Sequence, residues 1–497
     1  MALVGSKFIG TSLLLFLPLI QLQPMRNLLF SASLFALVLL PQDAHATTAF
    51  DGAAMGWPWA LPFVGILLSI ATGPVLFPKL WHDHYGKVAL GWALLTLLPI
   101  ALIHGGPAML AAFVHAILAE YLSFIALLFA LYTVAGGILV TGKMRGTPWT
   151  NTAMLALGTG MASIVGTTGA AMILIQPMIR ANKARKHNTH VFIFFIILVA
   201  NVGGALSPLG DPPLFVGFLH GVDFFWTARH LWMQTAIVAV LLLALFFLLD
   251  LWFIRRDAPM AKDAGEPIRV RGRINLLLIV MVITSILLSA TWDPKTIFDI
   301  YGTKVALQNI VRDALLVLIA LLSLWLTPDE HREANDFTWE PIKEVAKLFA
   351  GIFIAIIPVL AMLHAGKNGA FAWLLTAVAA RDGLPHEVAY FWITGALSGL
   401  LDNAPTYLVF FELAGGDARE LMGPLAGTLA ALSMGAVYMG ALTYIGNAPN
   451  FMVYAIATER GIKMPSFFGY ALWASAVLVP LFLLLTLLPI TPVLKPY

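Results

Sequence analysis

The chain has 497 residues, of which 60% are apolar and only 11% are charged, and its formal net charge is +3. This composition excludes a soluble globular domain and is typical of a protein that crosses a membrane many times. The absence of cysteine excludes disulfides, thiolate metal sites and cysteine nucleophiles.

The N-terminal residues resemble a targeting segment. From Met25 to Ala46 the chain has a basic start, an apolar run of about a dozen residues and a small-x-small end, which is the pattern of a cleavable signal peptide. We therefore interpret residues 1–46 as a signal peptide, with the mature protein beginning near Thr47, or as a mis-assigned N-terminal extension in which translation starts at Met25 instead of Met1. An uncleaved first helix is the alternative.

Ten apolar runs have lengths near the ~20 residues that a bilayer core requires. They fall at about 57–77, 89–104, 108–141, 191–219, 229–252, 274–290, 306–326, 344–363, 421–458 and 466–490. Two further stretches, 150–179 and 386–416, are also apolar, but each is interrupted near its centre, which leaves halves of about 14 residues, too short to span a bilayer. The interruptions are GTTG (166–169) and DNAP (402–405).

Basic residues flank the first interrupted stretch on both sides. Lys143 and Arg145 precede it, and Arg180, Lys183 and Arg185 follow it. Because loops rich in lysine and arginine face the cytoplasm, both ends are predicted to lie on the same side, and the stretch is predicted to be a re-entrant helical hairpin. Counting crossings from this anchor predicts a multi-pass protein of the inner membrane with its mature N-terminus and its C-terminus in the periplasm.

One twelve-residue string occurs twice. GALSPLGDPPLF (204–215) returns as GALTYIGNAPNF (440–451), with six of the twelve positions identical. We call the shift that carries Gly204 onto Gly440 the repeat offset. The same offset carries the first interrupted stretch onto the second, which indicates that a half-protein has been duplicated. An odd number of crossings separates corresponding points, so the two halves are predicted to have opposite orientations in the membrane.

The duplication defines the predicted domains. The first inverted repeat runs from 47 to 252, a cytoplasmic linker follows at 253–273, and the second inverted repeat runs from 274 to 497. The predicted fold is an all-α polytopic membrane protein with an inverted structural repeat, two re-entrant helical hairpins, two broken transmembrane helices and about ten spanning helices.

The repeated string carries helix breakers in both halves. Pro208, Pro212 and Pro449 cannot continue a ladder of backbone hydrogen bonds, while Gly210 and Gly446 allow a sharp reversal. Lipid cannot satisfy the freed backbone groups, so these groups must face protein or a watery site. This is the architecture of secondary transporters, in which freed carbonyls bind cations and half-helix N-termini favour anionic groups.

Four motifs mark the interruptions. They are GTTGAAMIL (166–174), NVGGALSPLGDPP (201–213), SGLLDNAP (398–405) and GALTYIGNAPN (440–450). They resemble the ion transporter superfamily, which includes arsenite efflux pumps, the melanosomal P protein, D-type sodium/proton antiporters and CitMHS-like citrate transporters. The resemblance runs from about Trp57 to the C-terminus. It implies a scaffold domain and a transport domain made of both hairpins and both broken helices, commonly in a homodimer that moves as an elevator.

Two aspartates lie in the interruptions, Asp211 in the first half and Asp402 in the second. Ionised carboxylates deep in a membrane are costly and persist mainly where they bind something, so these two are predicted to bind a cation and are the candidates for proton coupling. The alternative for each is a helix-capping aspartate bonded to freed backbone amides. The full set of predicted substrate- or ion-binding residues is Thr167, Thr168, Asn201, Ser207, Gly210, Asp211, Asp402, Asn403, Thr443, Gly446, Asn447 and Asn450.

The sequence therefore predicts an ion-coupled secondary transporter that is not an enzyme and uses no cofactor. The leading interpretation is a sodium/proton antiporter, in which Na+ is transported and is not a structural metal. The alternative is a sodium- or proton-coupled transporter of citrate or another organic anion. A remote alternative is an intramembrane aspartyl protease, because PLGD (208–211) is close to a motif of those enzymes. The predicted partners are a small ion or organic anion, the lipid bilayer and a second copy of the chain, without nucleic acid.

Overall fold

The computed structural model describes residues 50–142, 144–257, 267–379 and 385–487. The predicted signal peptide or extension at 1–46 lies outside the described residues, as does part of the predicted linker at 253–273. Helices account for most of the described residues, and the four short strands form two antiparallel ribbons of two strands each.

The first half begins with a 3-10 turn (Trp57–Ala60) and continues through helices and one strand. The helices are α1 (Leu61–Leu76), α2 (Pro78–His104), α3 (Gly106–His115), α4 (Leu122–Gly136), α5 (Pro148–Val165), α6 (Thr167–Asn182), α7 (Thr189–Leu198), α8 (Pro212–Leu219) and α9 (Trp226–Ile254). A π turn (Ala116–Tyr121) joins α3 to α4, and a 3-10 turn (Val202–Leu206) follows α7. Strand β1 (Leu139–Thr141) lies between α4 and α5.

The second half contains the other three strands and shorter helices. The strands are β2 (Arg269–Arg271), which pairs with β1, and β3 (Ile297–Ile300), which pairs with β4 (Thr303–Ala306). The helices are α10 (Ile274–Thr291), α11 (Leu307–Leu326), α12 (Asp329–Ala334), α13 (Glu340–Ala355), α14 (Ile357–His364), α15 (Ala372–Val378), α16 (Glu387–Leu400), α17 (Asn403–Leu413), α18 (Ala418–Met422), α19 (Ala426–Met439), α20 (Ala448–Glu459) and α21 (Phe467–Leu487). Short 3-10 turns follow α14 (Gly366–Asn368) and α19 (Gly440–Leu442).

Eight helical segments of the described residues are long and apolar enough to cross a membrane. They are Trp57–Leu76, Pro78–His104, Gly106–Gly136, Thr189–Leu206, Trp226–Ile254, Ile274–Thr291, Leu307–Leu326 and Phe467–Leu487. Helices α13 and α14, bent by 40°, make a ninth segment. The broken pair α19 and α20 corresponds to the remaining predicted run at 421–458. The predicted all-α polytopic membrane fold is confirmed.

The two interrupted stretches fold as helical hairpins. In the first hairpin, α5 starts at Pro148 behind an N-cap hydroxyl of Thr147, the chain reverses at Gly166 with φ +82°, and α6 returns. The amide of Gly146 then donates to the carbonyl of Ala181 (2.8 Å), so the two ends of this hairpin lie side by side. These two helices have 18 and 16 residues, which is longer than the halves that the apolar runs predict. The second hairpin consists of α16 and α17.

The two repeated strings are breaks in helices, and each break requires glycine. A Cβ at Gly210 would lie 2.1 Å from the carbonyl oxygen of Gly204, and a Cβ at Gly446 would lie 2.6 Å from that of Gly440. The repeat offset relates these two contacts. The chain therefore folds back on itself in the same way in each half, and any side chain at either position would push the backbone segments apart.

The helices group into two bundles. The flanking bundle contains α1 to α4 and α10 to α14, in which α4 packs on α11 and α2 packs on α13. The hairpin bundle contains α5 to α9 and α15 to α21, in which α16 packs on α19, α5 on α9 and α17 on α8. The bundles meet where α4 contacts α6 and where α14 contacts α17. Both hairpins and both broken helices thus belong to one bundle.

A buried charge cluster closes the open end of the first hairpin. The carboxylate of Asp250 on α9 lies 2.5 Å from Arg185 Nη2 and 2.8 Å from His190 Nε2, and it accepts from Asn151 Nδ2 at 2.9 Å. The side chains of Arg185 and Asp250 are fully buried. Because an unpaired buried charge is strongly destabilising, this cluster fixes α5, α7 and α9 relative to one another.

The chain after α9 adds to the same cluster. Asp257 lies 3.2 Å from Arg185 Nε and 2.7 Å from the ring of His187. Burial opposes ionisation of this carboxyl, but the hydrogen bonds from His187 and Arg185 outweigh burial and lower the pKa of Asp257. We call this side of the protein, which carries Arg145, Arg180, Arg185, Arg255 and Arg271, the basic end. The other side, which carries the loop after α8 and the ribbon of β3 and β4, is the opposite end.

Candidate functional site

Four interruptions of the backbone meet at one cavity. The cavity has a volume of about 800 Å³ and is lined by the hairpin tips at Gly166 and Asp402 and by the helix breaks at Asp211 and Asn447. These residues precede α6, α17, α8 and α20, so four helix N-termini with their free amides surround the cavity. The cavity continues between the two bundles to Asp336 at the basic end.

Asp211 is the central side chain of this site. It is only 1% exposed, and its carboxylate accepts hydrogen bonds from Asn403 Nδ2 (2.8 Å), Asn447 Nδ2 (2.9 Å) and, more weakly, Thr167 Oγ1 (3.4 Å). Although Asp211 occupies the N-cap position of α8, its side chain makes no capping bond to that helix. The capping alternative therefore does not describe Asp211, whose carboxylate is bound by side chains of both halves.

The partners of Asp211 follow the internal repeat. The repeat offset carries Thr167 onto Asn403 and Asp211 onto Asn447, so two pairs of equivalent residues meet at one point. The two halves differ at this point in charge, since the first half supplies a carboxylate where the second supplies an amide. The site is thus nearly symmetric in position and asymmetric in charge.

Asp402 has a different environment from Asp211. Its carboxylate accepts from the amide of Ala404 (3.1 Å) and its backbone carbonyl accepts from the hydroxyl of Thr406 (2.8 Å), so it caps α17 at the tip of the second hairpin. It also lines the cavity. The structure therefore favours the capping alternative for Asp402 and does not join the two aspartates into a bonded pair.

The two helix breaks are joined by asparagines. Asn201 donates to Asn450 Oδ1 (2.7 Å), Asn450 donates to the carbonyls of Gly440 (2.9 Å) and Thr443 (3.1 Å), and Asn447 donates to the carbonyl of Ala200 (3.2 Å) as well as to Asp211. These amides satisfy backbone groups that the breaks leave without helical partners. Asn201 and Asn450 therefore hold the two breaks together beneath the site.

Ser207 and Thr443 are placed differently from the prediction. The hydroxyl of Ser207 donates to the carbonyl of Ser163, and that of Thr443 donates to the carbonyl of Gly399 (2.6 Å). Both bonds tie a helix break to the first helix of the adjacent hairpin, and the repeat offset relates them. Their hydroxyl protons are thus used inside the hairpin bundle, whereas Thr168 and Gly210 line the cavity.

The wall of the cavity is acidic. Six of its side chains are carboxylates and one is an arginine. The carboxylates are Asp211, Asp336, Glu340, Glu344, Asp402 and Glu459. The arginine, Arg460, lies at the basic end and forms an ion pair with Asp336. Acidic side chains therefore outnumber basic ones along the wall.

One oxygen at the centre of the site has no partner among the described residues. Asn403 is fully buried, its amide nitrogen donates to Asp211, and its Oδ1 has no hydrogen-bond partner. A buried acceptor without a donor is unfavourable unless a ligand or an ion satisfies it. Asn403 Oδ1 and the carboxylate of Asp211 are oxygen atoms of the kind that hard cations prefer as ligands.

The sequence alone does not reveal several of these contacts. Ser163 and Gly399 bind Ser207 and Thr443 through backbone carbonyls, which carry no residue-specific pattern. Their signal lies only in the repeat offset, which relates both contacts. The sequence also does not show that Glu120 of the first half and Glu412 of the second half both lie near His220.

Comparisons with known proteins agree with a transport function. A family described as "Putative citrate transport" (CitMHS_2) matches residues 52–490. Two uncharacterized transporters, one from Mycobacterium bovis and one from Mycobacterium tuberculosis, are each 27% identical to the chain over 334 residues, which is 64% of this chain and 72% of each relative.

Proposed function

Because the chain belongs to the CitMHS_2 family of transporters, we propose that it is a cation-coupled secondary transporter in which Asp211 binds the cation. The observation that carries this proposal is the buried carboxyl group of Asp211, which side chains of both halves bind at the point where both hairpin tips and both helix breaks meet. The free oxygen of Asn403 beside it and the acidic wall of the cavity support a cation as the ligand.

Asp211 provides a simple means of exchange. A carboxylate that binds Na+ must be ionised, while a proton occupies the same oxygens, so the two ions exclude each other at this site. If each ion is released on the side opposite to the one where it binds, the protein exchanges sodium for protons. We therefore propose sodium/proton antiport as the leading function, with Na+ as a transported ion.

Cation-coupled transport of citrate or another organic anion is the second candidate. Two observations favour it. The family description names citrate, and the N-termini of α6 and α17 face the cavity, where their amides can bind carboxylate groups of a substrate. In this case the cation at Asp211 travels with the anion and offsets part of its charge.

The arrangement of the two bundles supports an alternating-access movement. All residues around Asp211 belong to the hairpin bundle, while α4 and α13 of the flanking bundle form part of the cavity wall. Movement of the hairpin bundle against the flanking bundle carries the complete site from one side to the other. We also propose that the basic end faces the cytoplasm of an inner-membrane protein and that the flanking bundle is the part available to a second copy in a homodimer.

The test uses the purified protein in proteoliposomes with an imposed pH gradient, reported by an enclosed pH-sensitive dye. Antiport predicts that Na+ or Li+ dissipates the gradient without citrate. Anion symport predicts uptake of labelled citrate driven by a Na+ or pH gradient, and it predicts dissipation of the pH gradient by citrate only where the coupled cation is the proton. Vesicles that contain folded protein, whose pH gradient neither cations nor citrate alter and which take up no labelled citrate under a Na+ or pH gradient, would contradict both candidates.

A further inference from the structure

Four ionisable side chains form a cluster at the opposite end, away from Asp211. His220 Nε2 lies 3.4 Å from Glu120 Oε1 and 3.8 Å from Glu412 Oε1, and His364 Nε2 lies 2.6 Å from Glu412 Oε2. We call these four residues the outer cluster. The side chains of Glu120, His220 and Glu412 are 14%, 17% and 6% exposed, while that of His364 is 61% exposed and reaches the surface.

The hydrogen bonds of His220 require an additional proton in this cluster. Its Nδ1 lies 2.9 Å from the carbonyl oxygen of Val216, which can only accept, so Nδ1 carries a hydrogen. Its Nε2 faces two carboxylates. Without a hydrogen on Nε2 or on one of the carboxyl groups, three acceptors would face one another, which is repulsive. The arrangement is favourable only when a proton is bound among His220, Glu120 and Glu412.

Two further features fit a bound proton. Glu120 Oε2 is buried and has no hydrogen-bond partner among the described residues, and Glu120 lies on the π turn (Ala116–Tyr121) between α3 and α4. Such turns are frequent at functional sites. His220 is the C-cap residue of α8, where the free carbonyls at the end of a helix favour a positive charge.

The outer cluster joins the two bundles. Glu120 and His364 belong to the flanking bundle, and His220 and Glu412 belong to the hairpin bundle. Asp211 and His220 are the N-cap and C-cap residues of α8, and α17 begins at Asn403 and carries Glu412 near its C-terminal end. The same two short helices therefore connect the candidate cation site to the outer cluster.

Other charged groups on neighbouring elements are engaged elsewhere or point to solvent. Asp223 pairs with Arg229 at 3.6 Å, and Asp417 accepts from the amide of Arg419 at 2.7 Å. Lys367, after α14, is exposed. The π turn also packs on β4, whose Lys304 is exposed, and on α13. On α13, Glu340 pairs with Lys343, Glu344 accepts from Trp81 and Lys347 lies over the ring of Tyr85. Other titratable residues on neighbouring elements include His115, Tyr121, Glu387 and Tyr407; Glu387 lies against Gly427 of α19, and the hydroxyl of Tyr407 lies against Gly217 of α8.

We propose that the outer cluster is a second, proton-binding site that holds the two bundles together on the side opposite to the open cavity. With a proton on His220 Nε2, the imidazolium lies between a carboxylate of the flanking bundle and a carboxylate of the hairpin bundle and attracts both. After loss of that proton, Glu120 and Glu412 repel each other and the neutral imidazole. The conformation with its cavity open to the basic end is therefore favoured by acid and disfavoured by alkali at the opposite end.

The experiment measures the distance between the bundles and does not depend on the identity of the substrate. Because the chain has no cysteine, spin labels can be attached to Trp325→Cys on α11 and Phe468→Cys on α21, both 80% exposed. Pulsed electron paramagnetic resonance in lipid nanodiscs then gives the distance distribution at about pH 5.5 and about pH 8.5, on either side of the usual titration range of histidine. We expect the ratio of cavity-open to other conformers to fall about fivefold or more from the lower to the higher pH.

Glu412→Gln should remove this pH dependence, because Glu412 contacts both His220 and His364, and His220→Gln should reduce it. His230→Gln is the matched control, because His230 makes the same ring contact to a carbonyl four residues earlier, Trp226 O at 2.9 Å, and stacks on the Trp226 ring. It should keep the wild-type pH dependence. Glu120→Gln is measured as well, so that the test still has a result if one of the other variants misfolds. A distance distribution that is the same at both pH values in the wild type, or a pH shift of wild-type size in both His220→Gln and Glu412→Gln, would overturn the proposal.

Discussion

At the scale of residues, the candidate site is centred on one carboxyl group among neutral donors. Asp211 is bound by two amides and a hydroxyl, and these neutral donors stabilise its ionised form without supplying a permanent positive partner. A fixed lysine or arginine in that place would compete with a transported cation. In the proposed function, the neutral shell leaves the charge of Asp211 available to the transported cation.

The two aspartates should respond differently to the same substitution. Asn caps a helix as well as Asp does, so Asp402→Asn should keep nearly the wild-type melting temperature and retain transport. Asp402→Ala removes the bond to the amide of Ala404 and should cost about 1 kcal/mol of stability. Thermal unfolding in detergent and flux in proteoliposomes measure the two effects. Loss of transport in Asp402→Asn, with folding intact, would contradict the capping assignment.

The sequence predicts which aspartates lie in the interruptions but not how each is used. Each aspartate has proline and glycine nearby, and each half of the chain contains one of them. The sequence pattern therefore predicts the same role for both. Their difference arises because the carboxylate of Asp402 reaches its own helix, whereas that of Asp211 faces two asparagines of the other half of the chain. Contacts over such separations leave no local pattern in one sequence.

At the scale of elements, the breaks are the most predictable features. Proline and glycine in an apolar run are incompatible with a continuous helix, and the structure has breaks at both repeated strings and turns at both hairpin tips. The lengths of the hairpin helices are less predictable, since Pro148 and the N-cap at Thr147 extend α5 beyond the apolar run. Polar residues at a helix start lengthen the helix without adding hydrophobicity.

Gly210 provides a test of the break in the first half. A methyl group there would lie 2.1 Å from the carbonyl oxygen of Gly204, so Gly210→Ala should destabilise the protein by about 1 to 3 kcal/mol or more. Gly160 on α5 is the matched control, since a Cβ there would meet nothing within 4 Å. Gly160→Ala should be neutral or stabilising by about 0.5 to 1 kcal/mol. Equal melting temperatures for the two variants would show that the backbone contact at the break is not required.

At the scale of the whole molecule, the internal repeat is what makes the architecture predictable. The repeat offset relates the hairpins, the breaks and the contacts of Ser207 and Thr443. The repeat does not predict the division into two bundles, because that division depends on which helices pack on each other. The cluster of Arg185 and Asp250 and the outer cluster likewise join residues from distant parts of the chain, and the sequence gives no sign of either.

The orientation in the membrane is open to a direct test, since any introduced cysteine is the only one in the chain. Arg255 is exposed at the basic end, and the side chain of Asp223 is 49% exposed at the opposite end. With a membrane-impermeant maleimide on intact spheroplasts, Asp223→Cys should react, while Arg255→Cys should react only after the membrane is opened. Reaction of both from the same side would mean that α9 does not cross the membrane.

In the proposed function, one carboxylate at the meeting point of the two halves, that of Asp211, binds the transported cation. Asp211→Asn removes that charge while keeping its shape, and the double variant Asp211→Asn with Asn447→Asp moves the charge to the equivalent position of the other half. The most direct measurement is cation-dependent proton flux, or proton-dependent citrate uptake, in proteoliposomes of the wild type and both variants. We expect Asp211→Asn to lower the flux at least about tenfold, the effect of losing ~1.4 kcal/mol of ion binding, and the double variant to recover part of it. Wild-type flux with unchanged cation dependence in Asp211→Asn would contradict the account.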